Sequence, residues 1–267
     1  MVRIEPVPNR PAAVINATER HLVIADYHAG IEAGFRYEEG VEVESRAPRR
    51  KAELLSLIDR TNPDRLLVLG DLTHSIGEPG GAERAELEIL FEDIDLSVVL
   101  AKGNHDGAFE AFVEEDPAHF GGITITPSTG SRLGSIGIIH GHTWPDPSLF
   151  ETDIICVGHE HPCVRLRDEV GGTRIERAWI RGVVYPAPFS AAMDIEMDDP
   201  PDLVVFPAFN DLCGGTWVNE YEQDFLSPFL PEGLTDGTVH LLDGTHLGQL
   251  SALRSKDSNG TLAMDDS

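Results

Sequence analysis

The sequence contains few cysteines and no long apolar run. Its 3 cysteines are Cys156, Cys163 and Cys213. An odd number without CxxC spacing indicates neither a disulfide framework nor a zinc knuckle. No stretch reaches the roughly 18 apolar residues of a membrane span, and no basic, apolar leader opens the chain. We therefore expect a soluble cytoplasmic protein that does not enter a membrane.

Lysine is also scarce, because the basic residues other than Lys51, Lys102 and Lys256 are all arginine. Against 20 basic residues stand 46 acidic ones, a formal net charge of -26. So much like charge destabilises a compact state in dilute buffer, whereas at molar salt the Debye length falls to about 3 Å. The acids are spread along the chain, which indicates a salt-adapted cytoplasm such as a halophile's. Since no dense basic cluster exists, bound metal ions would have to attract a polyanionic substrate.

Five short polar motifs occur in one order, each directly after a run of apolar, largely β-branched residues. Such runs are typical of buried strands, and open α/β sheets build their sites at the carboxyl ends of strands. The motifs supply carboxylates, imidazoles and an amide, which are metal-ligating groups. Together they predict a two-metal centre at the strand ends. They are Asp26-Tyr-His28, Gly70-Asp71, Gly103-Asn104-His105-Asp106, His140-Gly-His142 and Gly158-His159-Glu-His161.

The motifs also divide the chemistry among their residues. The Asp71 carboxylate can bridge two ions, and the Asn104 amide oxygen ligates without adding charge. A mixed nitrogen and oxygen set suits Mn²⁺, Fe or Zn²⁺ better than Mg²⁺. Two such ions, about 3.5–4 Å apart, bind a phosphoryl group and activate a shared water. His105 is then the candidate general acid for the leaving oxygen, and Asp106 the candidate residue that orients its imidazole.

The pattern of apolar residues predicts an α/β fold. The first half alternates strands with amphipathic helices at 46–60 and 82–93, which argues for parallel pairing, and 29–45 is a polar loop. The second half consists mostly of strands, at 123–126, 135–139, 153–157, 163–167, 174–180 and 203–206. We expect two sheets packed face to face with helices outside. The domain spans 1–226, and a C-terminal extension of 227–267 carries one hairpin and a disordered tail.

The ordered motif set resembles the calcineurin-like metallophosphoesterases over about 20–162. This resemblance implies a four-layer α-β-β-α sandwich of two mixed sheets. It also implies two divalent metal ions, Mn²⁺ first, with Fe or Zn²⁺ as alternatives. By motif match, one ion is held by Asp26, His28, Asp71 and His161, and the other by Asp71, Asn104, His140 and His159.

Finer features resemble one branch, the small phosphoesterases associated with DNA ligases and Lhr-type helicases. These features include Asp26-Tyr-His-Ala-Gly, Gly158-His-Glu-His-Pro162 and Gly214-Gly215. Members of that branch are thought to act as nucleases or phosphodiesterases, which implies a nucleic-acid substrate and a DNA-repair helicase or ligase partner. Related proteins often form homodimers. The chain departs from the common Gly-Asp-x-x-Asp pattern, because His74 occupies the position of the second Asp.

Three further residues, within the motifs or close to them, have two interpretations each. His142 contacts the site from outside the ligand set or is merely polar. His74 contacts substrate or makes a structural hydrogen bond. Arg36 contacts a phosphate or is a solvated loop residue.

The first functional hypothesis is a two-metal phosphodiesterase, a nuclease on single-stranded nucleic acid. A phosphomonoesterase or nucleotide pyrophosphatase on the same centre is the alternative enzyme. A non-catalytic metal-binding scaffold for a protein partner is the alternative from another class.

Overall fold

Two stacked β-sheets lie at the centre of the structure, a computed structural model that describes residues 2–167 and 172–254. The first sheet has six strands in chain order. Its first three strands are antiparallel, and β3 to β6 are parallel. The strands are β1 (Arg3–Pro6), β2 (Ala12–Asn16), β3 (Arg20–Ile24), β4 (Arg65–Val68), β5 (Ser97–Ala101) and β6 (Ile123–Thr126).

The second sheet follows the order β14-β13-β11-β12-β9-β8-β7, and β10 pairs with β11 beside this path. Strands β8, β9 and β12 are parallel, and the other pairs are antiparallel. The strands are β7 (Ser131–Leu133), β8 (Ile136–Ile139), β9 (Ile154–Val157), β10 (Cys163–Arg167), β11 (Thr173–Val184), β12 (Asp202–Val205), β13 (Leu234–Leu241) and β14 (His246–Gln249).

Helical segments lie outside the sheets and connect the strands. They are α1 (Ile31–Gly34), a π-helix (Phe35–Glu39), α2 (Ala47–Thr61), α3 (Gly81–Phe91), α4 (Phe109–Glu115), α5 (Pro117–Phe120), a 3₁₀ helix (Pro147–Glu151), α6 (Pro186–Met193) and α7 (Leu250–Leu253). Within the described residues, no helix is long and apolar enough to span a membrane.

The alternation of residues along each strand produces the layers. In β3, Leu22 packs outward against the cluster that contains Leu54 of α2 and Leu87 of α3. Val23 points the other way, into the inter-sheet cluster with Ile138 and Cys156. A third cluster covers the outer face of the second sheet. The predicted sandwich of two mixed sheets with helices outside is confirmed.

The extension that we expected after residue 226 contributes β13 and β14 to the second sheet. Phe229 and Leu230 are buried in the outer cluster of that sheet. The predicted hairpin is present as the β13–β14 pair. The predicted disordered tail falls largely on 255–267, which lie outside the described residues.

The prediction of a polar loop at 29–45 is wrong for 31–39, which are helical. Gly30 and Gly40, both with positive φ, lie directly before and after the two turns. The Glu86 carboxylate of α3 accepts the Gly30 N–H at 2.8 Å. A contact from another helix therefore fixes this polar segment, and local periodicity does not reveal it.

Candidate metal centre

The polar motifs lie at the carboxyl ends of neighbouring parallel strands in both sheets. Asp26 follows β3, Asp71 follows β4 and Asn104 follows β5. His140 directly follows β8, and His159 follows β9. Because the two sheets are stacked, the strand ends of both meet at one end of the sandwich.

The backbone at these turns is held in left-handed conformations. Positive φ angles occur at Asp26 (56°), His28 (46°), Asp71 (49°), His159 (67°) and His161 (44°). Each such residue costs on the order of 1–3 kcal/mol, and such conformations concentrate at functional sites. Two hydrogen bonds join the first two turns, from the Asp26 N–H to the Gly70 carbonyl at 3.2 Å and from the His28 N–H to the Asp71 carbonyl at 2.8 Å.

Glycines make room for these turns. A Cβ at Gly103 would lie 2.1 Å from Asp71 Oδ1, and one at Gly70 would lie 2.2 Å from His140 Nδ1. Both positions therefore require glycine for the carboxylate and the imidazole to keep their places.

The first predicted ligand set converges in the structure. Ligand atoms of Asp26, His28 and Asp71 all lie within 4.8 Å of one another. His161 Nε2 is 3.1 Å from Asp26 Oδ1, and His28 Nε2 is 3.6 Å from Asp71 Oδ2. The two carboxylates are buried.

The second predicted set converges beside the first. Ligand atoms of Asp71, His140 and His159 also lie within 4.8 Å of one another. His140 Nε2 is 3.3 Å from Asp71 Oδ2 and 3.1 Å from Asn104 Oδ1. Asp71 therefore belongs to both of these groups.

Hydrogen bonds orient two of the imidazoles. His140 Nδ1 donates to the Leu69 carbonyl at 2.8 Å, and His161 Nδ1 donates to the Gly214 carbonyl at 2.8 Å. Each ring therefore turns Nε2 towards the carboxylates, where it can bind a metal ion. His28 Nδ1 and His161 Nε2 are buried and have no hydrogen-bond partner in the described part of the chain. Orphaned imidazole nitrogens beside paired carboxylates fit divalent cations.

Burial and the carboxylates act in opposite directions on the imidazoles. Burial dominates at His28 and lowers its pKa to about 3. At His140, burial is outweighed by Asp71 and Asp26, which raise the pKa to about 9. Burial opposes ionisation of Asp71, but the His140 and His28 imidazoles hold the pKa of that carboxyl well below its usual range. The cluster is thus built to hold positive charge between two carboxylates.

His105 lies at the side of this cluster. Its Nε2 is 3.9 Å from Asp71 Oδ2, and its ring is 5.1 Å from that of His28. Its Nδ1 contacts the carbonyl oxygen of His74, which requires the proton on Nδ1. The ring is only partly buried, so its Nε2 can reach a bound molecule.

The expected orienting role of Asp106 is wrong. The Asp106 carboxylate accepts the N–H groups of Asp71 and Gly103, both at 2.8 Å. Its other oxygen accepts the Thr73 N–H at 3.1 Å. Asp106 therefore fixes the turn that carries Asp71, and the His74 carbonyl orients the His105 imidazole.

The three residues with open interpretations occupy different places. His74 stacks on His105 with 5.7 Å between ring centroids, and its N–H donates to Glu83 at 2.6 Å. His142 lies beside His140, with 5.2 Å between centroids, and burial lowers its pKa to about 4. Arg36 forms an exposed ion pair with Glu42 at 2.9 Å. The first two thus lie beside the cluster, whereas Arg36 is paired within its own segment.

Sequence reasoning missed a buried network behind the first motif. Arg50 of α2 pairs with Glu32 at 2.9 Å and with Glu86 at 2.7 Å. Asn210 donates to the Tyr27 carbonyl at 2.9 Å, and its own carbonyl lies 3.4 Å from Arg50. Arg50 stands among Arg46, Arg49 and Lys51 in the sequence, and this local excess of basic residues was the available signal.

Glu160 was also missed, although it lies between two predicted ligands. Its buried carboxylate accepts the Ser227 N–H at 2.5 Å, the Leu226 N–H at 3.1 Å and the Thr216 hydroxyl at 3.0 Å. It ties the turn of His159 and His161 to two distant loops.

The match to known proteins agrees with this geometry. Residues 20–163 match the family of calcineurin-like phosphoesterases. The chain belongs to this family. No curated protein matches the sequence. Among solved structures, the nuclease MPE of Pseudomonas putida is similar, with a TM-score of 0.51 and 19% identity over 90% of this chain and 98% of that one. At this identity the likeness shows the fold alone.

As a calcineurin-like phosphoesterase, the protein is a metal-dependent phosphoesterase. The residues that the structure brings together are candidate groups for holding its metal.

Proposed function

We propose that the protein is a two-metal phosphodiesterase, a nuclease that acts on single-stranded nucleic acid. The observation that carries this proposal is the position of Asp71, which belongs to both groups of candidate ligands. One ion would be held by Asp26, His28, Asp71 and His161, and the other by Asp71, Asn104, His140 and His159. Bound there, the ions supply Lewis acidity and an activated water for attack on phosphorus.

The chain's own residues perform the remaining steps. Asp26 and Asp71 neutralise part of the cationic charge, and the carbonyls of Leu69 and Gly214 keep the imidazoles of His140 and His161 aimed at them. His105 would act as the general acid for the leaving oxygen through Nε2, because the His74 carbonyl engages Nδ1 and leaves Nε2 facing the cluster. Mn²⁺ is the metal that we propose, with Fe or Zn²⁺ as alternatives, because four imidazoles accompany the oxygen ligands.

Two observations support a nucleic-acid substrate. The structurally similar MPE of Pseudomonas putida is named as a nuclease. The branch motifs of the sequence suggest cleavage of nucleic acid here as well. A phosphomonoesterase or nucleotide pyrophosphatase would use the same centre, and model substrates separate these alternatives. A non-catalytic scaffold would show no turnover of any ester.

The test is hydrolysis of a single-stranded oligonucleotide, bis-p-nitrophenyl phosphate and p-nitrophenyl phosphate in molar KCl, with and without Mn²⁺. We expect Mn²⁺-dependent cleavage of the oligonucleotide and the diester. The Asp71→Asn variant is the control for contaminating nuclease and should be inactive. Turnover of the monoester alone would assign the protein to the phosphatases, and no turnover would leave the scaffold.

We further propose that the protein works in a salt-adapted cytoplasm, since its net charge is -26. A DNA-repair helicase or ligase as partner, and a homodimer, are proposals that rest on the resemblance to one branch of the family.

A further inference from the structure

A cavity lies away from the candidate metal centre. Its volume is about 250 Å³, and it is lined by Pro6 and Pro8, by Trp179 and Arg181 of β11, and by 240–244 of the β13–β14 hairpin. The Asn9 N–H donates to the Leu242 carbonyl at 2.7 Å, which joins the β1–β2 turn to the hairpin beside the cavity. None of the lining residues belongs to the predicted ligand set.

Arg181 has no partner for its charge. Among the arginines of the described chain, only Arg60 and Arg181 form no hydrogen bond or ion pair through the guanidinium. Arg60 is exposed on α2, where water satisfies it, whereas Arg181 is half-buried. An unpaired guanidinium is unexpected in a chain with 46 acidic residues against 20 basic ones. The cavity is thus lined by a guanidinium that forms no ion pair within the described residues.

Two further nitrogen atoms beside Arg181 lack partners. Trp179 Nε1 and His240 Nδ1 are buried and form no hydrogen bond within the described residues. Trp179 is only 2% exposed. Trp179 pairs directly with His240 across β11 and β13, and Arg181 lies two residues further along β11. Directly opposed residues, and residues two apart, share one face of a sheet, so the three side chains lie on the same face.

The combination identifies the chemistry of a ligand. A buried N–H without a partner is unfavourable, so an occupant that accepts hydrogen bonds is favoured. Water would satisfy the indole, but it would not neutralise Arg181. An oxyanion does both, and guanidinium binds carboxylate and phosphate oxygens in pairs. The acidic lining residue, Asp243, is engaged in the hairpin, where its Oδ1 accepts the Thr245 N–H at 2.8 Å.

We propose that this cavity binds a small oxyanion, held by the Arg181 guanidinium, the Trp179 indole N–H and the His240 imidazole. The apolar walls formed by Pro6, Pro8 and Leu242 leave room for an organic body attached to the oxyanion. The site is independent of the proposed nuclease activity, since it shares no residue with the metal centre.

The test is a titration followed through the indole N–H signals of the 3 tryptophans in ¹⁵N-labelled, Zn²⁺-loaded protein. The signal of Trp179 is assigned with the Trp144→Phe and Trp217→Phe variants. Inorganic phosphate and phenylphosphonate are added separately, and the ionic strength is kept constant with KCl. We expect a saturable shift of the Trp179 signal, and tighter binding of phenylphosphonate identifies an organic rather than a free oxyanion. The same titration in Asp71→Asn excludes phosphate bound at the metal centre as the cause.

Arg181→Gln should weaken binding about tenfold or more, the loss expected when one charged hydrogen-bond partner is removed. Arg132→Gln, on β7 at the far edge of the same sheet and ion-paired with Glu151 at the surface, removes equal charge and should leave binding unchanged. Arg181→Lys keeps the charge and should bind with intermediate affinity, which tests the proposal even if the Gln variant unfolds. A Trp179 signal that shifts with neither anion, or equally in wild type and Arg181 variants, would overturn the proposal and leave a cavity filled by solvent.

Discussion

The carboxylate of Asp106 accepts the backbone N–H of Asp71 at 2.8 Å. This contact joins two strand ends across the first sheet and holds Asp71 in its left-handed conformation, at a φ of 49°. The same carboxylate accepts the Gly103 and Thr73 N–H groups. Asp106 thereby sets the position of the one carboxylate that both candidate metal groups share.

Asp106→Ala should therefore destabilise the fold and weaken metal binding together. It leaves three buried N–H groups without acceptors, and we expect a loss of about 2–4 kcal/mol in the free energy of unfolding. Denaturant unfolding and Zn²⁺ titration measure the two effects. Asp116→Ala, which removes an exposed cap of α5, is the matched control and should cost about 1 kcal/mol with no change in metal affinity. Unchanged metal binding in Asp106→Ala would contradict this role.

His105→Ala should reduce turnover without changing the amount of bound metal. General acid catalysis contributes on the order of 10²–10⁴ in rate, and more where the leaving group is a poor one. We therefore expect a larger loss of turnover on an oligonucleotide, whose leaving group is an alkoxide, than on bis-p-nitrophenyl phosphate, whose leaving group is a nitrophenolate. Steady-state kinetics on the two substrates measure the loss of turnover, and metal analysis measures the amount of bound metal. Equal losses on both substrates would argue against proton donation.

Metal affinity should rise with pH. Burial lowers the pKa of His140, but Asp71 and Asp26 outweigh it and raise the pKa from 6.5 to about 9. Below that pKa the imidazole carries a proton that a metal ion must displace, so protons and metal compete. Binding of Zn²⁺ should therefore tighten as the pH rises towards about 9 and should release protons. Calorimetry in two buffers of different ionisation enthalpy measures that release, and affinity independent of pH would contradict the assignment.

Arg50→Met should be strongly destabilising, because it leaves Glu32 and Glu86 buried without a counter-charge. Breaking such a buried pair typically costs about 3–5 kcal/mol. The Gly30 and Arg46 N–H groups, which these carboxylates accept at 2.8 and 2.7 Å, should then exchange faster with solvent. Hydrogen exchange and denaturant unfolding test this. The triple variant with Glu32→Gln and Glu86→Gln should recover part of the loss, whereas no recovery would mean that charge is not the cause.

Stability should increase with salt. The net charge of -26 is self-repulsive, and the Debye length shortens from about 10 Å at 0.1 M salt to about 3 Å at 1 M. The thermal midpoint should therefore rise steadily with KCl. An equal rise in sucrose of matched osmolarity would attribute the effect to exclusion from the surface, and a flat profile would contradict salt adaptation.

The strands, and the polar residues that follow them, could be predicted from the sequence for a simple physical reason. Runs such as 22–25 and 66–69 are apolar throughout because both faces of a central strand are buried. The polar residue that ends such a run must lie at the sheet edge, and parallel strands bring those edges together. Asp26, Asp71 and His140 were placed in this way.

Contacts between distant segments could not be predicted. The partner of Asp106 is the N–H of Asp71, 35 residues away, and no local pattern distinguishes this contact from one to the neighbouring His105. The helical turns at 31–39 depend on Glu86 of another helix. The unpaired state of Arg181 likewise became visible only in the structure, where none of the described acidic side chains forms an ion pair with it.

The most direct test of the account is the number of metal ions bound per chain in wild type and in Asp71→Asn, measured with diesterase activity in the same Mn²⁺-saturated samples. Because Asp71 is shared by both groups of ligands, we expect two ions per wild-type chain. The variant should bind one or none and should lack activity. A single ion in the wild type, or two ions with full activity in Asp71→Asn, would contradict a two-metal centre bridged by this carboxylate.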